Sequence, residues 1–176
     1  MFIAETERLL LRTLELEDID PLMGIWGDDA VMKYSGGAGT REREIRALEF
    51  YLKLQEEEGY SPYAVIMKEN SEVIGVCGFN PPDDEHIELM YHFSRKHWGK
   101  GFATESTIAC IDYARKHLKS EKLVAFTDPQ NKGSENVLLK SGFSFKGIKW
   151  HGGSKKEEHY FELTLQEIHV LDNKRA

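Results

Sequence analysis

The sequence predicts a mixed α+β domain: a central sheet of about six to seven strands with helices on both faces. Three observations predict it. Apolar runs of strand length at 63–67, 73–79 and 87–93 follow one another across short turn-forming segments, the pattern of an antiparallel meander. A strand–helix–strand unit then spans 87–127, and such a crossover makes its two strands parallel. Finally, 176 residues fill one domain and not two, so residues 1–176 form a single unit.

The elements follow in order. Residues 7–13 (ERLLLRT) are an opening strand, and 17–26 (EDIDPLMGIW) a short helix with acidic residues and Pro21 near its start. The run from Ser35 to Gly39 is a flexible loop. Thr40 caps a helix reaching to about Glu58, with Ile45, Leu48, Tyr51 and Leu52 at helical spacing. The meander strands are linked by Glu69-Asn70-Ser71 and by Asn80-Pro81-Pro82-Asp83-Asp84. A helix over 101–118 carries Ala103, Thr107, Cys110, Ala114 and Leu118 on one stripe. A strand at 123–127 and a short helix at 134–140, ended by Gly142, follow. Strands near 143–150 and 159–165 close the chain.

Composition narrows the function. With 40% hydrophobic and 11% aromatic residues the chain can fill a core and is not disordered. A net charge of −7 disfavours nucleic acid and anionic lipid as partners, and suits a cationic substrate weakly. Cys77 and Cys110 form no Cys-x-x-Cys pair, and no two histidines make a close His-x-x-x-His pattern, so no metal site is expected. Residues 1–11 lack the basic-then-apolar order of a signal peptide, and no run approaches the ~18 apolar residues of a membrane helix. A cytoplasmic protein with buried, reduced cysteines is expected.

The informative stretch is Lys96-His97-Trp98-Gly99-Lys100-Gly101-Phe102-Ala103-Thr104-Glu105, between a strand and a helix. Glycines at 99 and 101 let the backbone turn tightly and approach a ligand closely. The helix that follows offers unpaired N–H groups and the positive end of its dipole, an anion site suited to phosphate or diphosphate. Lys96 and Lys100 add charge and Thr104 a hydroxyl. A P-loop is excluded because Gly99-Lys100 is followed by Gly101; the dinucleotide fingerprint fails because Thr104 replaces its third glycine.

Lys96-x-x-Gly99-x-Gly101-x-Ala103 resembles the acetyl-CoA diphosphate loop of the GNAT acetyltransferases, whose first position is usually Gln or Arg. Asn131-Lys132-Gly133-Ser134 with Lys140-Ser141-Gly142-Phe143 resembles a second block, that of the ribosomal-protein N-acetyltransferase branch. Thr6 to Arg12 and Tyr160-x-x-Leu163-Thr164 are similar to the same branch, so the resemblance spans almost the whole chain. It implies a three-layer fold whose sheet splays between the strands at 87–93 and 123–127. Acetyl-CoA lies in that gap as co-substrate, and a primary amine enters from the opposite side.

The resemblance also implies roles. Phe93 and Ser94 amides, the loop residues Lys96, Trp98, Gly99, Lys100, Gly101, Phe102, Ala103 and Thr104, and Asn131 hold the cofactor. Trp26, Tyr34 and the glycine-rich loop line the acceptor side. The amine must lose a proton before it attacks, and Glu88 is the candidate acceptor, with His92 on the same strand face as second choice. Glu88 as a solvated or merely orienting group stays open. Amides near Phe93 and Ser94 would stabilise the oxyanion. The tyrosine that many family members carry seven residues after the Asn is Leu138 here, so Ser134 is the candidate partner of the leaving sulfur, or a helix cap, or both. Trp98 covers the cofactor edge or packs in the core. The acceptor is a protein N-terminal amine or a small amine (a polyamine, amino acid or antibiotic); a CoA-binding module without turnover is the third reading. The chain acts as monomer or homodimer.

Overall fold

In a computed structural model, which describes residues 1–82 and 85–165, eight strands form one sheet in the order β1-β2-β3-β4-β5-β6-β8-β7. They are β1 (Phe2–Glu5), β2 (Leu9–Thr13), β3 (Pro62–Met67), β4 (Val73–Asn80), β5 (Glu88–Phe93), β6 (Lys122–Thr127), β7 (Ser144–His151) and β8 (Lys156–Thr164). The helices are α1 (Ile19–Trp26), α2 (Arg41–Glu58), α3 (Phe102–His117) and α4 (Lys132–Lys140). Asp83 and Asp84, in the expected turn after β4, lie outside the described residues.

The eighth strand is the unexpected one. Phe2–Glu5 is short and half exposed, so no alternation marks it; pairing with β2 fixes it, and the Met1 ammonium donates to Thr13 Oγ1 at 2.7 Å. The first helix also begins differently. Residues 16–18 make a 3₁₀ turn, because the Arg12 guanidinium grips Asp18 with two bonds of 2.7 and 2.8 Å and the Asp18 carboxylate takes the Glu15 amide at 2.8 Å. Thr40 caps α2 as expected, accepting from the Arg43 amide at 3.3 Å, and Gly59 in the left-handed region ends it.

Both faces of the sheet are covered. On one, α3 buries Phe102, Cys110, Ile111 and Ala114 with Leu9, Leu11, Val65, Cys77 and Phe79. On the other, Leu22, Ile25 and Trp26 of α1 and Leu48 of α2 pack with Ala64 and Val76. Each fully buried Leu, Ile or Phe contributes roughly 1.5–3 kcal/mol, so these layers hold the strands rigidly. Cys77 and Cys110 are free thiols in the first layer, their sulfurs 3.6 Å apart.

Every neighbouring pair of strands is antiparallel except β5 and β6. That parallel pair is joined at one register position, Glu88↔Val124, with the Val124 amide donating to Ile87 O at 3.1 Å. Past this point the two strands part. The crossover and the splay together open a gap at the carboxyl ends of both strands, where open α/β sheets take ligands.

Candidate functional site

The gap opens into a cavity of about 1160 Å³ that runs from α1 and α2 on one side to α3 and α4 on the other. It exceeds the ~300–1,000 Å³ usual for one small ligand, so it has room for two reactants. Of the residues expected to form a site, Trp26, Tyr34, Glu88, His92, Phe93, Trp98, Gly99, Gly101, Phe102, Ala103, Thr104, Asn131 and Ser134 line it. Ser94, Lys96 and Lys100 do not.

At one end lies the glycine loop. Gly99 and Gly101 have φ of 72° and 83°, values that L side chains rarely adopt, and a Cβ on Gly99 would meet nothing within 4 Å. Gly101 is the N-cap of α3 and no side chain caps the helix, so its first amides are open to a ligand. These features fit a diphosphate. The charge expected from Lys96 is directed elsewhere: its ammonium pairs with Glu72, and this hydrogen bond, more than burial opposes it, holds the Glu72 carboxyl below its usual range.

The loop is anchored by residues whose role local sequence does not reveal. Glu105, in the first turn of α3, would repel an anion. Thr6 Oγ1 donates to its Oε1 at 2.6 Å, Arg8 Nε to its Oε2 at 2.7 Å, and Arg8 Nη1 to Lys100 O at 2.9 Å. The Arg8 guanidinium also lies 4.3 Å over the Phe102 ring. Burial pushes the Glu105 carboxyl up, but the bonds from Thr6 and Arg8 together outweigh it, leaving it ionised and neutralised.

The edge of β5 supplies main-chain groups. Ser94 N–H donates to Ile74 O at 2.9 Å, so the expectation that its amide meets an oxyanion fails: the sheet already holds it. The same bond makes Gly75↔Phe93 a non-hydrogen-bonded pair of the β4–β5 ladder, and alternation then turns the peptide groups of Tyr91 and Phe93 toward the gap. Trp98 Nε1 donates to Phe93 O at 2.8 Å, which pins the strand end and leaves the Phe93 N–H facing the cavity. Trp98 thus has a hydrogen-bonding role at the strand end, while half of its surface stays exposed. Gly75 makes this arrangement possible, since a Cβ there would sit 2.4 Å from the Phe93 ring.

Asn131, not Ser134, caps α4: its Oδ1 accepts from the Ser134 amide at 3.1 Å. The Ser134 hydroxyl is therefore released from capping, and it lies 3.0 Å from Tyr91 Oη.

Across the gap Glu88 faces a histidine the motifs did not point to. His151 Nε2 lies 3.3 Å from Glu88 Oε2, and its Nδ1 lies 3.3 Å from Glu158 Oε2 and 3.1 Å from Ser154 Oγ. Its ring stacks on Phe126 with centroids 4.4 Å apart. Hydrogen bonding to Glu158 and then to Glu88 outweighs burial and pushes the His151 pKa up to about 10, so it is an imidazolium at neutral pH. Lys156 in turn holds Asp128 at 2.6 Å. His92 behaves oppositely: burial pushes it down to about 4, so its ring, 3.1 Å from Ser35 Oγ, is neutral and a weak base. Trp26 packs on Tyr51 on the far wall. His151 and Glu158 flank the turn of the β7–β8 hairpin; neither falls within a motif, and only the fold brings His151 to Glu88.

Among the described residues, no group of three or more His, Cys, Asp or Glu could hold a metal ion, and no helix is long and apolar enough to cross a membrane.

Comparison with known proteins agrees with this architecture. The sequence model described as acetyltransferase (GNAT) domain matches residues 8–144. A relative from Bacillus licheniformis, the uncharacterized N-acetyltransferase p20, is 37% identical over 149 residues, 81% of this chain and 83% of its own. A solved GNAT-family acetyltransferase from Bacillus anthracis superposes with a TM-score of 0.79 at 28% identity, covering 95% of this chain and all of that one. RimL, a ribosomal-protein alpha-N acetyltransferase solved in complex with coenzyme A, has a TM-score of 0.78 at 17% identity, over 93% of this chain and 98% of its own, a likeness of fold alone.

Proposed function

The chain belongs to the GNAT acetyltransferase family, and on that premise we propose that it transfers the acetyl group of acetyl-CoA to a primary amine at the end of a polypeptide. The observation that carries this reading is the splay of β5 from β6, with the uncapped α3 terminus at one end of the gap and ionisable groups at the other. The amides of 99–104 hold the diphosphate. Asn131 and the outward peptide groups of Tyr91 and Phe93 hold the extended amide arm. The Phe93 N–H, fixed before the reaction, donates to the oxyanion as the amine attacks the thioester carbonyl. Glu88 receives the amine's proton directly or through water, and the Ser134 hydroxyl holds the departing sulfur.

Glu88 is ion-paired with an imidazolium, which occupies one side of its carboxylate and makes a water between it and the amine the natural carrier. The same pairing bears on the acceptor. Glu88 and Glu158 are both engaged by His151 and Asp128 by Lys156, while Glu44 on the far wall has only Arg43 at 3.6 Å, so most of the cavity's negative charge is already met before a polyamine enters. Its volume of about 1160 Å³ leaves room for a peptide end beside the cofactor. The reduced thiols of Cys77 and Cys110 suit the cytoplasm.

The test is to titrate CoA by calorimetry and to follow CoA release with a panel of N-terminal peptides, polyamines and amino acids. Saturable turnover with peptides of one N-terminal residue class supports the proposal. Preference for a polyamine transfers it to small amines. Binding without turnover on any amine leaves a CoA-binding module and refutes it.

A further inference from the structure

Tyr91 and Ser134 meet in the gap in a way that neither motif foretells. Tyr91 lies on β5, facing α4, and its Oη donates to the Ser134 carbonyl oxygen at 2.9 Å while lying 3.0 Å from Ser134 Oγ. Both residues line the cavity. Leu138, at the position where many family members carry a tyrosine, is fully buried, so α4 brings no phenol of its own to the site. We propose that Tyr91 is a positioning residue for acetyl transfer, orienting the Ser134 hydroxyl toward the thioester sulfur and strengthening it as a donor. The proposal rests on the acetyl-transfer reading above.

Counting protons gives the mechanism. A phenol has one proton and a carbonyl oxygen has none, so in the observed state the 2.9 Å bond uses the Tyr91 proton. The 3.0 Å contact is then donated by the Ser134 hydroxyl, whose proton is parked on Tyr91 Oη. When a sulfur stands beside Ser134, the hydroxyl turns its proton to the sulfur. The Tyr91 proton can follow, moving from the carbonyl to the vacated lone pair of Oγ over almost the same distance. A hydroxyl that accepts one hydrogen bond donates a stronger one, because a chain of bonds polarises each member. The N–C bond forms, the C–S bond breaks and its electron pair stays on sulfur. The thiolate is held by Ser134 until it takes a proton from water.

Tyr91 itself keeps its proton throughout. Burial pushes its phenol up, more than the bond to Ser134 lowers it, far above an ordinary thiol near ~8.5. A net transfer to sulfur would leave a buried phenolate, so the pair acts by orientation and not as an acid relay.

The experiment is a double-mutant cycle of Tyr91→Phe, Ser134→Ala and both together, reading kcat, the acetyl-CoA KM, CoA affinity by calorimetry and the melting temperature. Tyr91→Phe keeps the ring and its packing. Its kcat is expected to fall about tenfold, the worth of one hydrogen bond made in the transition state, with KM, CoA affinity and melting little changed. In the Ser134→Ala background the same change should cost less than about twofold, because the hydroxyl it orients is gone. Unimpaired kcat in Tyr91→Phe, or the same tenfold loss with and without Ser134, overturns the proposal. Wild-type protein that neither binds CoA nor turns over sinks the acetyl-transfer reading itself, an outcome distinct from an active wild type with an unimpaired variant.

Discussion

Replacing His151 with Gln removes the cation that bridges Glu88 and Glu158 and leaves Glu158 only Lys156 at 3.5 Å, and its effect can be worked from the geometry. A pKa raised from 6.5 to about 10 sets an upper bound near ~5 kcal/mol on what the imidazolium adds to stability. Drying two carboxylates takes part of that back, so a loss of about 3 kcal/mol is expected at pH 7 for His151→Gln, a drop of roughly 6–12 °C in melting temperature for a domain of this size. The sign with pH follows from the raised pKa. In the wild type the contribution is fully present below pH 6.5, declines as pH climbs above it and is lost through about 10, since the unfolded chain releases the proton first. The variant lacks this alkaline slope. Toward pH 5 the gap between the two proteins should narrow, because Glu158, pushed up by burial and held ionised chiefly by His151, can take up a proton once the cation is gone. Urea unfolding of both proteins from pH 5 to pH 10 reads all three features. A constant difference across that range, or equal stability at pH 7, would refute the pairing of His151 with the two carboxylates.

Three further outcomes test the anion site. Gly99→Glu should weaken CoA binding at least about a hundredfold by calorimetry, since the side chain has open space but places a carboxylate against the diphosphate; unchanged affinity refutes the loop assignment. Arg8→Ala should weaken CoA binding about tenfold by freeing the Glu105 charge at the mouth of α3, and adding Glu105→Gln should restore most of it; absence of rescue shows that Arg8 acts only by packing. Lys96→Ala should change CoA affinity by less than about threefold, because its ammonium already pairs with Glu72; a loss of tenfold or more means that the ligand draws Lys96 across.

What was legible in the sequence was whatever repeats within a few residues. The alternation of β5, the stripe on α3 and the cap at Thr40 each leave a local trace, and the order strand–helix–strand dictates the parallel pair and hence the gap. Glycines at 99 and 101 were readable because only a positive φ or close approach calls for them there. The groups that set the chemistry of the gap were not readable, because their partners are brought together by register. Glu88 and His151 are 63 residues apart, Thr6 and Glu105 are 99 apart, and Tyr91 and Ser134 are 43 apart. Even the direction of the Phe93 amide depends on which member of the β4–β5 ladder is hydrogen-bonded, a property of two strands and not of one.

The same division explains why the cap of α4 falls to Asn131 and not to Ser134. Both residue types cap helices well, and from sequence Ser134 stood at the start of the expected helix, three residues before the apolar run Val137-Leu138-Leu139. The helix begins two residues earlier, so Asn131 takes the cap and Ser134 falls in the first turn. That two-residue shift turns a hydroxyl that would have bonded its own backbone toward Tyr91 and the cavity. Capping takes the Asn131 Oδ1 as acceptor and leaves its Nδ2 donors for a ligand, while the Ser134 hydroxyl, relieved of capping, can answer to one as well. The site thus depends less on a special residue at 134 than on a neighbour three positions before it that takes over the structural task.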